Sequence, residues 1–99
     1  MNIIQLVKSA VQEISPNSEI ILFGSRARGD YRPDSDWDFL ILTKEEIGKA
    51  EKENIRNRLY ELELETDEII SLIIHSKIEW EKRSITPIYQ TIKEEGKRA

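Results

Sequence analysis

Apolar and polar positions recur along the chain with two different periods, and each period predicts a type of secondary structure. Over residues 2–14 apolar side chains recur every three to four positions, which is typical of an amphipathic helix. Residues 19–23 (EIILF) and 36–42 (DWDFLIL) are short apolar runs of the length and composition of strands. The first part of the chain is therefore predicted to run helix, strand, polar turn, strand.

The middle of the chain changes its pattern at Thr43. Thr43 followed by Glu46 three residues later is a capping-box signature, and it predicts a charged surface helix over residues 44–60. Residues 61–76 (ELELETDEIISLIIHS) then alternate before they become a continuous apolar run, which predicts a third strand, with its firmest part at 68–74.

Two shorter helices are predicted at the end, over residues 77–82 and 87–95. The second has a proline near its first turn and Gly96 directly after its last residue, which are typical start and stop signals. Helices and strands alternate without repeats or a linker. The pattern predicts one α/β domain over residues 1–99, with a small mixed sheet packed with helices.

Composition narrows the classes of function. The 99 residues carry 15 Lys and Arg against 19 Asp and Glu, a formal net charge of −4, so binding to a nucleic-acid backbone is not expected. There is no cysteine for a disulfide or a thiolate metal site. No apolar run has the length of a membrane helix and the N-terminus lacks the architecture of a signal peptide, so we expect a cytoplasmic protein with no membrane partner.

The candidate chemistry lies in residues 24–38, GSRARGDYRPDSDWD. Asp36 and Asp38 are two positions apart at the start of a strand, so their side chains point to the same face, roughly 7 Å apart at the backbone. Paired carboxylates of this kind suit Mg²⁺, which relieves their mutual repulsion and is commonly shared with substrate phosphates. We therefore take both aspartates as metal ligands.

A glycine-bounded turn complements the carboxylates. Gly24 allows a sharp turn and close approach of a ligand, and Ser25 can begin a short helix whose free N–H groups attract phosphate. Arg26 and Arg28 add positive charge, one to face phosphate and the other to pair with an aspartate of the loop. Together these residues predict a cradle for a nucleoside triphosphate and its metal.

Two other motifs fit part of this stretch and fail on a defining residue. Gly24 to Gly29 has the spacing of a P-loop, but Asp-Tyr follows where that motif requires Lys and Ser or Thr. The acids from Asp34 to Glu45 have the spacing of an EF-hand loop, but Phe39 stands at its invariant glycine.

Gly24-Ser25 followed by Asp36-Trp37-Asp38 resembles the signature of the nucleotidyltransferase superfamily of DNA polymerase β. The longer match, GSRARGD followed by PDSDWDFLIL, is similar to the minimal nucleotidyltransferases of bacteria and archaea, as is the order of elements through the closing helix. The resemblance implies a mixed-sheet fold and Mg²⁺-dependent transfer of a nucleoside monophosphate from an NTP, ATP above all, with two ions possible. Gly24 and Ser25 would hold the triphosphate.

The resemblance also implies a third carboxylate on a later strand, where this chain has Ile69. Asp67 is the expected substitute, as a residue of the same strand parity as Ser71. Minimal members often pair with an α-helical HEPN protein, act as its antitoxin and adenylylate it. We therefore expect an enzyme that modifies a HEPN-type partner, or alternatively a non-catalytic interaction module with a vestigial nucleotide site. A further chain, including a second copy, would help to enclose the nucleotide base.

Overall fold

A computed structural model describes residues 2–99 of the chain. Five helices and four strands occur there in the following order: α1 (Ile3–Ile14), β1 (Glu19–Phe23), α2 (Ser25–Arg28), β2 (Trp37–Thr43), α3 (Lys49–Thr66), β3 (Ile70–Ser76), α4 (Lys77–Glu81), α5 (Pro87–Glu95) and β4 (Lys97–Arg98). The alternation of helices with strands confirms the predicted α/β class.

The strands form one mixed sheet in the order β3-β2-β1-β4. β2 lies at its centre, antiparallel to β1 and parallel to β3, and β4 is antiparallel to β1. Because side chains alternate along a strand, β2 contributes to a core on each face of the sheet. Phe39 and Ile41 pack with the residues of α1 and α3, whereas Leu40 and Leu42 pack with Trp80 and Ile92. This arrangement leaves Asp36 and Asp38, at the N-terminal end of β2, outside both cores.

The start of the third helix was predicted wrongly. β2 continues through Thr43, whose buried hydroxyl donates to the carbonyl of Glu45 at 2.6 Å instead of capping a helix. Residues 44–48 form an irregular connection, and α3 begins only at Lys49, after Gly48. The capping-box pattern is therefore present in the sequence without the helix start that it predicts.

The end of that helix also differs from the prediction. Residues 61–66, which alternate like a strand, continue α3. Leu62 is 2% exposed and extends the buried helical stripe of Ile55 and Leu59, while Leu64 is 65% exposed. Burial thus follows the helical period, so the third strand begins at Ile70 and is shorter than predicted. The two-residue strand β4 was not predicted.

Helices of the length and apolarity needed to cross a membrane do not occur among residues 2–99.

Candidate active site

The turn after β1 lies directly beside the start of β2. Phe23 is paired with Asp38 in the antiparallel register, so the chain leaves β1 next to that carboxylate. Gly24 then adopts φ 76° and ψ −161°, a conformation that is essentially restricted to glycine. A Cβ at Gly24 would collide with the Asp38 carboxylate, with Cγ only 3.1 Å away. The turn and the carboxylate therefore require glycine at this position on two independent grounds.

The turn presents backbone donors next to this carboxylate. The N–H groups of Ala27 and Arg28 both donate to the carbonyl of Gly24 at 3.0 Å, which closes the first turn of α2. Within residues 2–99 the N–H groups of Ser25 and Arg26 have no recorded acceptor, as expected for the first residues of a helix. Two amides are thus free to bind the oxygens of an anion.

Asp36 and Asp38 lie at the start of β2, near enough for their charges to interact. Asp36 is exposed just before β2, and Asp38 is half-buried within it. Burial raises the pKa of Asp38, the negative charge of Asp36 raises it further, and the positive charge of Arg28 acts in the opposite direction. Asp38 accepts no recorded hydrogen bond from residues 2–99, so its oxygens are free for a ligand. A divalent cation fits this pair because it would neutralise two carboxylates whose charges interact, of which Asp38 has no partner among residues 2–99.

Asp67 does not lie where it was predicted. It ends α3 in a left-handed conformation, with φ 58°, and is exposed three residues before β3 begins. The strand residue opposite Asp38 is Ser71, whose hydroxyl lies 3.5 Å from Oδ2 of Asp36. In the described part of the chain, no group of three or more acidic or histidine side chains is arranged to hold a metal ion. The strand placement of Asp67 was wrong because α3 extends six residues further than predicted.

Arg26 lies inside the loop instead of at the turn's open side. Its side chain is 8% exposed, and its Cζ sits 4.4 Å from the ring centre of Tyr31 and 4.3 Å from that of Trp37. Nη2 donates to the carbonyls of Pro33 and Ser35, at 3.1 Å each. The guanidinium therefore ties the loop that leads into Asp36 to the first residue of β2.

Arg28 lies at the surface of the site and meets a residue that sequence reasoning missed. Its Nε donates to Asp30 at 3.3 Å, one of the pairings that was expected for an arginine of this loop. Its Nη1 donates to both carboxylate oxygens of Glu95, at 3.2 Å each, and Glu95 also accepts the N–H of Gly24 at 3.0 Å. Glu95 is 71 positions from Gly24 in the chain, so no local pattern pointed to this contact.

Comparison with known proteins identifies the family of the chain. The sequence model of the family described as "Nucleotidyltransferase domain" matches residues 4–98. The chain belongs to this nucleotidyltransferase family. One relative, "Putative protein adenylyltransferase MJ0141" of Methanocaldococcus jannaschii, is 42% identical over 82 residues, which cover 78% of this chain and 83% of that protein.

Solved structures support the fold of this nucleotidyltransferase. A crystal structure of "a putative nucleotidyltransferase from Sulfolobus solfataricus" is 30% identical with a TM-score of 0.53, over 79% of this chain and 70% of that one. A toxin–antitoxin crystal structure with AMP-PNP reaches a TM-score of 0.67 at 20% identity, over 95% of this chain and 69% of that one. The predicted family resemblance is confirmed.

Proposed function

We propose that this nucleotidyltransferase uses Mg²⁺ and ATP to transfer AMP to a protein partner. The observation that carries the proposal is the contact between the Gly24 turn, with its two free amides, and the partnerless carboxylate of Asp38. A triphosphate and a metal ion that share oxygens would satisfy both groups at once. The relative named as a protein adenylyltransferase and the fold neighbour with AMP-PNP support the choice of a protein acceptor and of ATP.

The proposal assigns a role to each of the candidate site residues. Asp36 and Asp38 would hold Mg²⁺, and the amides of Ser25 and Arg26 would receive the triphosphate at the Gly24 turn. Arg28 would offset phosphate charge at the surface of the site. Bound there, the metal would supply charge neutralisation for the attacking and leaving oxygens.

Two predicted roles change with the geometry. The Arg26 side chain is engaged with two aromatic rings and two carbonyls, so we propose that it positions the loop before Asp36, while only its backbone N–H serves the nucleotide. The metal-ligand role of Asp67 stays a prediction, which lacks support from its place at the exposed end of α3.

The reaction itself makes one bond and breaks one. A hydroxyl oxygen of the acceptor attacks the α-phosphorus of ATP, and the bond from that phosphorus to the bridging oxygen of the β-phosphate breaks. Pyrophosphate leaves with the electron pair, and the hydroxyl proton passes to solvent. The chain's contribution is to hold the triphosphate against the Gly24 turn, so that the α-phosphorus lies near the two aspartates.

We propose a HEPN-type toxin as the acceptor, with this chain as the antitoxin. The toxin–antitoxin fold neighbours support a toxin as the partner, and its HEPN type is what the sequence resemblance implies. We further propose that the partner, or a second copy of this chain, helps to enclose the nucleotide base.

Label transfer tests the enzyme directly. The protein is incubated with Mg²⁺, a HEPN-type toxin and ATP labelled at either the α- or the γ-phosphorus. We expect label on the partner from α-labelled ATP alone, lost with EDTA and in Asp36→Asn, and kept in the loop control Asp34→Asn. Label from γ-labelled ATP would show phosphorylation instead and contradict the proposal.

A second candidate function is a non-catalytic antitoxin that binds its partner and retains a nucleotide site. The observation in its favour is that Ser71, and not an acid, stands opposite Asp38, so the proposed metal site has two carboxylates, Asp36 and Asp38, and no third. The same experiment separates the two functions. Stable complex formation with no transferred label, unaffected by Asp36→Asn, would favour the binding module.

A further inference from the structure

Glu95 connects the C-terminal end of α5 to the Gly24 turn. It is the last residue of that helix, and its side chain is 18% exposed. Oε1 accepts the backbone N–H of Gly24 at 3.0 Å. The helix itself is anchored to the sheet by Ile92, which is 4% exposed in the core that includes Leu40 and Leu42. The carboxylate therefore ties the turn to a helix that is fixed in position.

The same carboxylate fixes the guanidinium of Arg28. Both oxygens accept from Nη1, and Asp30 accepts from Nε, so two acidic residues hold the arginine from different sides. Nη2 makes no recorded hydrogen bond with the described residues 2–99. An arginine held in this way loses less conformational freedom when its remaining donors meet an anion.

Gly24 is consequently held from two directions. Its N–H is bound by Glu95, and its α-carbon lies against the Asp38 side chain, whose Cβ would be 3.3 Å from a Cβ at Gly24. A change in the position of Glu95 would move the turn relative to the metal-binding carboxylate.

We propose that Glu95 is a positioning residue for nucleotide binding, which holds Gly24 and Arg28 in the arrangement that receives the triphosphate. This inference rests on the proposed function. The expected effect is opposite to that of charge alone, because the negative charge of a carboxylate so close to a phosphate site repels the nucleotide. If charge alone mattered, removal of Glu95 would tighten nucleotide binding, whereas a positioning role requires that removal weaken it.

Three variants test the inference. Glu95→Ala removes the acceptor of both bonds, and Glu95→Gln keeps an oxygen for Gly24 but removes the charge that Arg28 meets. Glu94→Ala is the matched control, because Glu94 is an exposed neighbour on the same turn of α5 with no recorded bond. Two quantities are measured: hydrogen exchange of the Gly24 amide without nucleotide, and the Kd of an ATP analogue that cannot be cleaved between the α- and β-phosphates, with Mg²⁺.

For Glu95→Ala we expect Gly24 exchange to accelerate and the Kd to rise about tenfold, the effect of one hydrogen bond to a charged group. Glu95→Gln should show normal Gly24 exchange and a smaller rise in Kd, about threefold, and it carries the test if the alanine variant does not fold. Glu94→Ala should match the wild type in both measurements.

The outcomes separate this inference from the proposed function. An unchanged or lower Kd in both Glu95 variants, with normal binding by the wild type, would overturn the positioning role and leave the proposed function standing. Absence of Mg²⁺-dependent binding by the wild type would overturn the proposed function, and the inference with it.

Discussion

Substitution of Gly24 by alanine should damage nucleotide binding far more than it damages the fold. The backbone at Gly24 has φ 76° and ψ −161°, a region that costs a residue with a Cβ about 1–3 kcal/mol. The added Cβ also overlaps the Asp38 carboxylate, which must rotate away because its Cγ would lie at 3.1 Å. Rotation removes one of the two proposed metal ligands from its place beside the turn.

The matched control is Gly29→Ala. Gly29 also has a positive φ, of 90°, but nothing lies within 4 Å of a Cβ built on it. Alanine there costs the strain of a left-handed residue, about 1–2 kcal/mol, without touching the site. Both variants should therefore lose a similar amount of stability in urea unfolding, and each 1 kcal/mol should lower Tm by about 4–8 °C in a domain of this size.

Nucleotide affinity separates the two variants. We expect Gly24→Ala to raise the Kd of the Mg²⁺ complex of the ATP analogue by about a hundredfold, the upper range seen when a metal ligand loses its orientation. Gly29→Ala should stay within about twofold of the wild type, because strain alone does not move Asp38. Equal affinities for the two alanine variants, at equal stability, would refute the claim that the turn and the carboxylate form one site.

Three further expectations concern residues around this site and in the sheet. Burial, and then the charge of Arg83, lower the pKa of His75 in the folded protein from its ordinary value of 6.5. The contribution of His75 to the free energy of unfolding is therefore complete above pH 6.5 and is lost as the pH falls through the lowered pKa. From pH 8 to pH 5, the free energy of unfolding in urea should decrease more for the wild type than for His75→Gln. Arg26→Ala should lower the free energy of unfolding, measured in urea, by about 3 kcal/mol, since it removes two hydrogen bonds from a charged donor and two aromatic contacts. A decrease below about 1 kcal/mol would contradict the proposed role of Arg26 in the loop. Asp67→Asn should leave label transfer within about twofold of the wild type while Asp36→Asn abolishes it, and a large loss from Asp67→Asn would restore the third-ligand role.

Local patterns predicted the parts of the fold whose causes are local. The bounds of β1 and α5 agree with the predicted residues 19–23 and 87–95. In each case a proline stands at or shortly before the start of the element and a glycine directly follows its end. The predicted helix start at residue 44 was wrong because the structure of residues 44–48 is not decided locally. Thr43 is a residue type that often caps a helix, but here it pairs with Ser76 of β3 and stays in the sheet. The tertiary pairing therefore overrides the local capping signal.

The residues of the candidate site likewise differ in whether local sequence patterns could predict them. Gly24, Asp36 and Asp38 could be predicted as candidates because they stand in two short segments, and the antiparallel pairing of β1 with β2 places the Gly24 turn beside Asp38. Glu95 could not be identified, since the bond to Gly24 spans 71 positions and depends on how α5 packs on the sheet. The position of the Arg26 side chain likewise depends on the rings of Tyr31 and Trp37, which only the folded loop brings to either side of it.

Metal-dependent nucleotide binding tests the central claim most directly, because it needs no knowledge of the acceptor. Calorimetric titration of the ATP analogue would compare the wild type, Asp38→Asn and the loop control Asp34→Asn, each with Mg²⁺ and with EDTA. We predict tight binding by the wild type and Asp34→Asn in Mg²⁺ only, and its loss in Asp38→Asn. Binding that is the same with and without Mg²⁺, or that survives in Asp38→Asn, would contradict the claim that the Gly24 turn and the two aspartates form one metal–nucleotide site.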